Sequence, residues 1–264
     1  MAAAVNNPTL MPGHGRRSIE VLPDEAAVAR RGAELFVRAA RGALHARGAF
    51  IVALSGGSTP RRLYERLAQE PLRSSVDWSH VQLYWGAERC VLPDSPESNY
   101  RMASEAFVDH VPLPPENVHR LYGESDSMEA AGCYEMELRD LARRTQATPS
   151  GSPVFDLVLL GVGTNGHTAS LFPHSPALHE EERLVVPVTV PGVGKRLTLS
   201  VPTINGARRV VFVATGEDKA AVLARVLQGP PRGDDLPAQL IAPRPGRLTW
   251  LLDEAAASRL RRDA

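Results

Sequence analysis

"GVGTNGHTASLF", residues 161–172, follows the apolar run "FDLVLL" at 155–160 and sets a histidine just beyond three glycines. An apolar run that ends in glycines reads as a buried strand leaving a sheet, with a helix expected to begin at "HTASLF". Two phosphate-binding patterns nearly fit. Gly161, Gly163 and Gly166 satisfy G-x-G-x-x-G, and Gly161 to Thr168 would be a P-loop if His167 were a lysine. A dinucleotide fingerprint also needs an acid at the end of the next strand, but "VVPVTV" at 185–190 runs into Pro191 and Gly192. An imidazole is too short to replace the P-loop lysine, and no obvious Walker-type acid follows an apolar strand. His167 is left as a histidine presented at a strand exit, where a neutral ring can take a proton from water. A capping or core histidine is the competing reading, and the residues alone leave both open.

Working outward, short apolar runs alternate with helical periodicity. Strands are expected at "SIEVL" (18–22), "AFIVALSGG" (49–57), "VQLYW" (81–85), "VHRL" (118–121), "FDLVLLGVG" (155–163), "RLVVPVTV" (183–190), "RLTLSV" (196–201), "RRVVFVATG" (208–216) and "RLTWLLD" (247–253). Helices are expected at 23–48, 59–69, about 99–109, 127–144 and 217–228, with a short one after 253. Continuous Val, Leu and Ile runs between helices predict an α/β fold, a mainly parallel sheet covered on both faces. The polar loop "TQATPSGSP" (145–153) is the best candidate for an internal boundary. The chain is nevertheless read as one α/β domain over 18–264, behind a mobile tail at 1–17 with little apolar surface to bury.

The chain's 264 residues suffice for a sizeable core, and 43% hydrophobic with 23% charged residues is ordinary for a globular protein. Thirty basic residues balance thirty acidic ones, so nucleic acid is not an expected partner and any anion site must be local. Cys90 and Cys133 are too few for a disulfide framework, which fits a reducing cytoplasm. No apolar run approaches the roughly 18 residues of a membrane helix. The start has no basic segment before an apolar stretch, so no signal peptide is read.

In open parallel sheets, ligands bind beyond the carboxyl ends of the strands. Four such exits, "LSGGSTP", "YWGAER", "GVGTNGH" and "ATGEDK", are expected to converge on one crevice. In "SGGSTP", Ser55 and the hydroxyl of Ser58 flank Gly56 and Gly57, whose backbone permits close approach, and a helix follows. Free N–H groups at such a helix start attract phosphate; a tight turn with a Ser or Thr cap is the alternative. Arg89 can hold an oxyanion, carboxylate or phosphate, or form a surface ion pair with Glu88. Lys195, Arg196 and Lys219 are each ordinary solvated charges alone, but beside the glycine loops they make a site for a phosphorylated metabolite. His174 and His179 match no zinc spacing, so neither a metal nor a cofactor is expected.

Together the landmarks "LSGGSTP", "WGAERCVLPDSPESNYRMA", "GVGTNGHTASLFP", "VPGVGKRLTLSVPTIN" and "VVFVATGEDKAAVL" resemble the 6-phosphogluconolactonase family from about residue 18 almost to the end. The resemblance implies a Rossmann-like sheet of the glucosamine-6-phosphate deaminase/ribose-5-phosphate isomerase type. It also implies metal-free hydrolysis of 6-phospho-D-glucono-1,5-lactone; a monomer or weak homodimer is expected. By that resemblance His167 is the general base, Asn165 its orienting neighbour and Arg89 the cation near the reacting lactone. Gly56, Gly57, Ser58, Arg196 and Lys219 are then the phosphate holders. Two residues depart from the family pattern: Ala87 stands where Asp usually precedes Glu-Arg, and Asn165 where Asp usually precedes Gly-His. Both absences count against an amino-sugar-phosphate isomerase or deaminase, which must move a proton on carbon. A non-catalytic sugar-phosphate-binding protein is the other alternative.

Overall fold

The computed structural model describes residues 17–149 and 151–261. In chain order the elements are β1 (Arg17–Leu22), α1 (Glu25–Arg47), β2 (Phe50–Leu54), α2 (Ser58–Leu67), β3 (Val81–Trp85), β4 (Ala87–Arg89), α3 (Asn99–Ala106), β5 (Val118–His119), α4 (Ser127–Arg144) and β6 (Leu157–Leu160). They continue with β7 (Val185–Val190), β8 (Gly194–Leu199), α5 (Val201–Asn205), β9 (Arg209–Ala214), α6 (Ala220–Gln228) and β10 (Arg247–Asp253). Residue types account for the boundaries. Asp24 caps α1 by accepting from the Ala27 N–H at 2.8 Å, and Gly48 ends it in the left-handed region at φ 74°. The strands β2 and β6 are buried at every position, as strands covered on both faces must be.

Seven strands form one sheet in the order β1-β10-β9-β6-β2-β3-β5, and every pairing is parallel. Strand order reverses between β6 and β2, on either side of which the chain winds outward. The sheet takes strands from both sides of the polar loop at 145–153. A second, antiparallel sheet, β4-β8-β7, collects the strands at "RLVVPVTV" and "RLTLSV" and brings Arg89 opposite Arg196.

Several expectations need correction. No helix starts at "HTASLF": Thr168 and Leu171 bridge each other across a tight turn, and Ala169 takes a positive φ of 49°. The Ser170 N–H is drawn instead to the Thr198 hydroxyl on β8, at 3.2 Å. The helix expected to about Asp109 ends at Ala106, "VHRL" pairs over only two residues, and the segment after β10 forms turns. The tail expected over 1–17 lies outside the described residues except for Arg17, which already belongs to β1.

Asp156, just before β6, ties three elements at the amino ends of the strands. Its buried carboxylate accepts the Ile51 N–H at 3.0 Å and pairs with Arg47 at 2.7 Å and Arg208 at 3.4 Å. Removing it leaves a buried N–H without its acceptor and two arginines without this counter-ion. Asp156→Ala is expected to lower unfolding free energy by about 2–4 kcal/mol. Urea unfolding measures this, and a loss under about 0.5 kcal/mol would contradict it.

Candidate active site

The exits of β2, β3, β6 and β9 enclose a cavity of about 270 Å³ where strand order reverses, the position open α/β sheets use for ligands. Ser55, Gly56, Gly57, Ser58, Arg89, His167, Arg196 and Lys219 all line it. Asn165 is not on its wall; it stands behind His167.

The first wall is the β2–α2 turn. Buried Tyr64 pins it twice, accepting from the Ser55 N–H and donating to the Ser55 carbonyl, each at 2.9 Å. Gly57 is the cap residue at φ 109°, and no side chain bonds the first amides of α2. The expected alternative of a Ser or Thr cap is therefore absent, and the amides of Ser58 and Thr59 stay free for an anion. Gly56 has no room for a side chain: a Cβ there would lie 1.9 Å from Asn99 Oδ1.

Asn99 also serves the second wall. Its amide nitrogen donates to the Ala87 carbonyl at 2.8 Å, and its Oδ1 accepts from Arg89 Nη1 at 2.7 Å. Arg89 donates further to the Glu97 carbonyl at 2.8 Å. Glu88 is buried and is no surface partner of the Arg89 side chain. Its carboxylate accepts the N–H groups of Arg89, Asn99 and Tyr100 and the Ser98 hydroxyl, fixing the start of α3 and with it Asn99. Burial pushes the Glu88 carboxyl up, although those four bonds oppose the shift. Cross-strand from Arg89, Arg196 reaches over the Phe172 ring at 5.6 Å. Its Nε is buried without a hydrogen-bond partner. Lys219, in the turn before α6, pairs with exposed Asp218 at 2.9 Å.

The third wall carries His167. Gly163 N–H donates to the His167 carbonyl at 2.9 Å, and a Cβ at Gly163 would sit 2.0 Å from His167 Cε1. Asn165 Oδ1 accepts the His167 backbone N–H at 3.2 Å and faces His167 Nδ1 at 2.6 Å. Because a backbone N–H only donates, that atom is the amide oxygen, and Nδ1 must carry the proton. The lone pair is then on Nε2. The ring stacks on Phe172 with centroids 4.4 Å apart. Burial first, then the charges of Arg196, Lys219 and Arg89, push the His167 pKa down to about 4, so the ring is neutral at ordinary pH. Among the described residues, no group of three or more His, Cys, Asp or Glu is placed to hold a metal.

The sequence reading missed Asn99 and Phe172. Both contact a singled-out residue through space, and neither lies in a glycine-marked exit. Thr59 and Thr215, one in each of two glycine-marked exits, also line the cavity, and their hydroxyls meet at 2.9 Å.

Residues 23–250 match the family described as glucosamine-6-phosphate isomerases/6-phosphogluconolactonase. The chain is 40% identical to a 6-phosphogluconolactonase of Nostoc sp. over 248 residues, covering 93% of this chain and 99% of that one. It is 42% identical to a 6-phosphogluconolactonase of Synechocystis sp., covering 83% and 88% respectively. The solved 6-phosphogluconolactonase of Trypanosoma brucei superposes with a TM-score of 0.83 at 29% identity, over 94% of this chain and all of that one. With a matched segment that runs from just before α1 into β10, this chain belongs to the glucosamine-6-phosphate isomerase/6-phosphogluconolactonase family.

Proposed function

We propose that this protein is an enzyme that hydrolyses 6-phospho-D-glucono-1,5-lactone to 6-phospho-D-gluconate, in the oxidative pentose phosphate pathway. One observation carries the reading: a neutral imidazole with its free Nε2 shares a cavity with three cations and an uncapped helix start. The curated relatives of that name, matched over most of their length, support the choice of substrate.

In this reading the free amides at Ser58 and Thr59, with Arg196 and Lys219, hold the phosphate at one end of the cavity. Gly56 and Gly57 let the backbone approach it. Anchoring a remote phosphate fixes the ring against the base and removes much of the entropy of attack. His167 Nε2 takes a proton from water as its oxygen bonds to C1 of the lactone. The carbonyl oxygen becomes an oxyanion beside Arg89, which Asn99 and the Glu97 carbonyl hold in place; a cation placed there lowers the barrier. The C1–O bond of the ring then breaks, and the departing ring oxygen receives the proton from the His167 imidazolium. Asn165 keeps Nδ1 protonated throughout but adds no negative charge. Deamination with isomerisation is disfavoured, because Ala87 and Asn165 offer no carboxylate to move a proton on carbon.

The setting in this reading is the cytoplasm, with the enzyme acting as a monomer or weak homodimer. Its two cysteines are free, and no described helix is long and apolar enough to cross a membrane.

Freshly generated lactone, with product measured by a coupled dehydrogenase and spontaneous opening subtracted, tests the activity. The wild type should turn over, and His167→Ala should lose on the order of 10²–10⁴-fold in kcat. Calorimetric binding of 6-phosphogluconate with no turnover would instead make the protein a sugar-phosphate binder. Arg196→Ala and Lys219→Ala should each raise KM by on the order of 10–100-fold with kcat changed far less. An unchanged KM in both would overturn the phosphate assignment.

The pH profile has a defined sign. The base works only when neutral, so kcat is lost as pH falls through the pKa of His167. Bound phosphate offsets the charges of Arg196 and Lys219, while burial and Arg89 remain. The acid limb of kcat should therefore lie between about 4 and 6.5. Asn165→Asp should move that limb upward by about one pH unit. A wild-type limb above about 7, or none displaced by Asn165→Asp, would contradict the assignment.

A further inference from the structure

The carboxyl ends of the parallel strands form the active site; their amino ends carry a separate concentration of charge. Both β9 and β10 begin with arginine, and Arg209 and Arg247 are register partners, so their side chains leave the same face of the sheet. That face lies under α1: a Cβ at Gly32 of the helix would meet Leu251 at 3.8 Å, and Leu251 shares its side of β10 with Arg247. Because β1 and β2 lie parallel in one sheet, α1 runs back between them toward the strand starts. It thereby carries Arg31 and Arg38 toward Arg209.

Among the described residues, carboxylates reach only one of these four cations. Arg31 bonds Glu20 at 2.6 Å and lies 3.7 Å from Glu34. Among the described residues, the side chains of Arg38, Arg209 and Arg247 have no hydrogen-bond or ion-pair partner. Arg209 is half-buried, while Arg38 and Arg247 are exposed. Burial first, then Arg247, Arg38 and Arg31, push the Arg209 guanidinium below its ordinary value. Gathering like charges at a partly desolvated corner is unfavourable unless an anion joins them. Three guanidinium forks from two strands and a helix suit several phosphate oxygens at once. β10 is seven residues long, which places the corner about 20 Å from the active-site exits.

We propose that Arg38, Arg209 and Arg247 form a second anion site, which takes a molecule carrying two or more linked phosphates and is independent of the active-site cradle.

The test is calorimetric titration with inorganic triphosphate at about 0.15 M salt, where weak surface attraction is screened. The protein carries Arg196→Ala and Lys219→Ala, which removes the two cations of the cradle whatever its true substrate. Triphosphate should still bind, at least tenfold more tightly than orthophosphate. Adding Arg38→Gln and Arg247→Gln, both exposed and away from the core, should weaken it at least tenfold further. No binding to the cradle-less protein would overturn the proposal. So would binding that Arg38→Gln and Arg247→Gln leave within twofold, or equal affinity for orthophosphate.

Discussion

The approach of Gly163 to the imidazole of His167 is the contact on which the site depends. A Cβ at Gly163 would lie 2.0 Å from Cε1 of that ring, so any side chain there would push the base away. With glycine in place, the Gly163 N–H closes the loop on the His167 carbonyl. Asn165 can then meet both the backbone N–H and Nδ1 of His167. The tautomer is thereby set by a backbone donor, which cannot reverse its role. Phe172 stacks on the same ring and also lies beneath Arg196. One aromatic side chain thus links His167 to Arg196.

Electrostatics give the same arrangement a second property. After burial, the charges that depress His167 are those of Arg196 and Lys219, the proposed phosphate holders, and of Arg89. In the free protein burial and these charges together keep the ring neutral at the expense of basicity. In the proposed reaction, a phosphate dianion at Arg196 and Lys219 would lift part of that depression, and the base would strengthen as the substrate arrives. Asn165 fits this scheme. It orients the ring as an aspartate would, yet leaves the balance to the substrate's own charge.

The central layer was legible because its signals are local. Buried runs such as "FIVAL" and "LVLL", glycines after them and helical periodicity between them lie within short windows of sequence. The same locality marked Gly56, Gly57, His167 and Lys219. The misread parts are held by distant partners. "HTASLF" has helix-compatible residues, but Ser170 is drawn to Thr198 on β8 and Thr168 Oγ1 to the Gly161 carbonyl. The antiparallel pairing that sets Arg89 beside Arg196 joins strands more than a hundred residues apart. Asn99 looked like an ordinary helix residue, because its contacts with Gly56 and Arg89 appear only once β2, β4 and α3 meet.

The central claim is that His167 waits as a neutral imidazole with its proton on Nδ1 and its lone pair on Nε2. Nitrogen-15 NMR of the ring, titrated from pH 8 downward on the free protein, tests it most directly. The account predicts an Nδ1–H tautomer that persists through neutrality, with protonation near pH 4. A proton found on Nε2, or a titration at 6.5 or above, would contradict it.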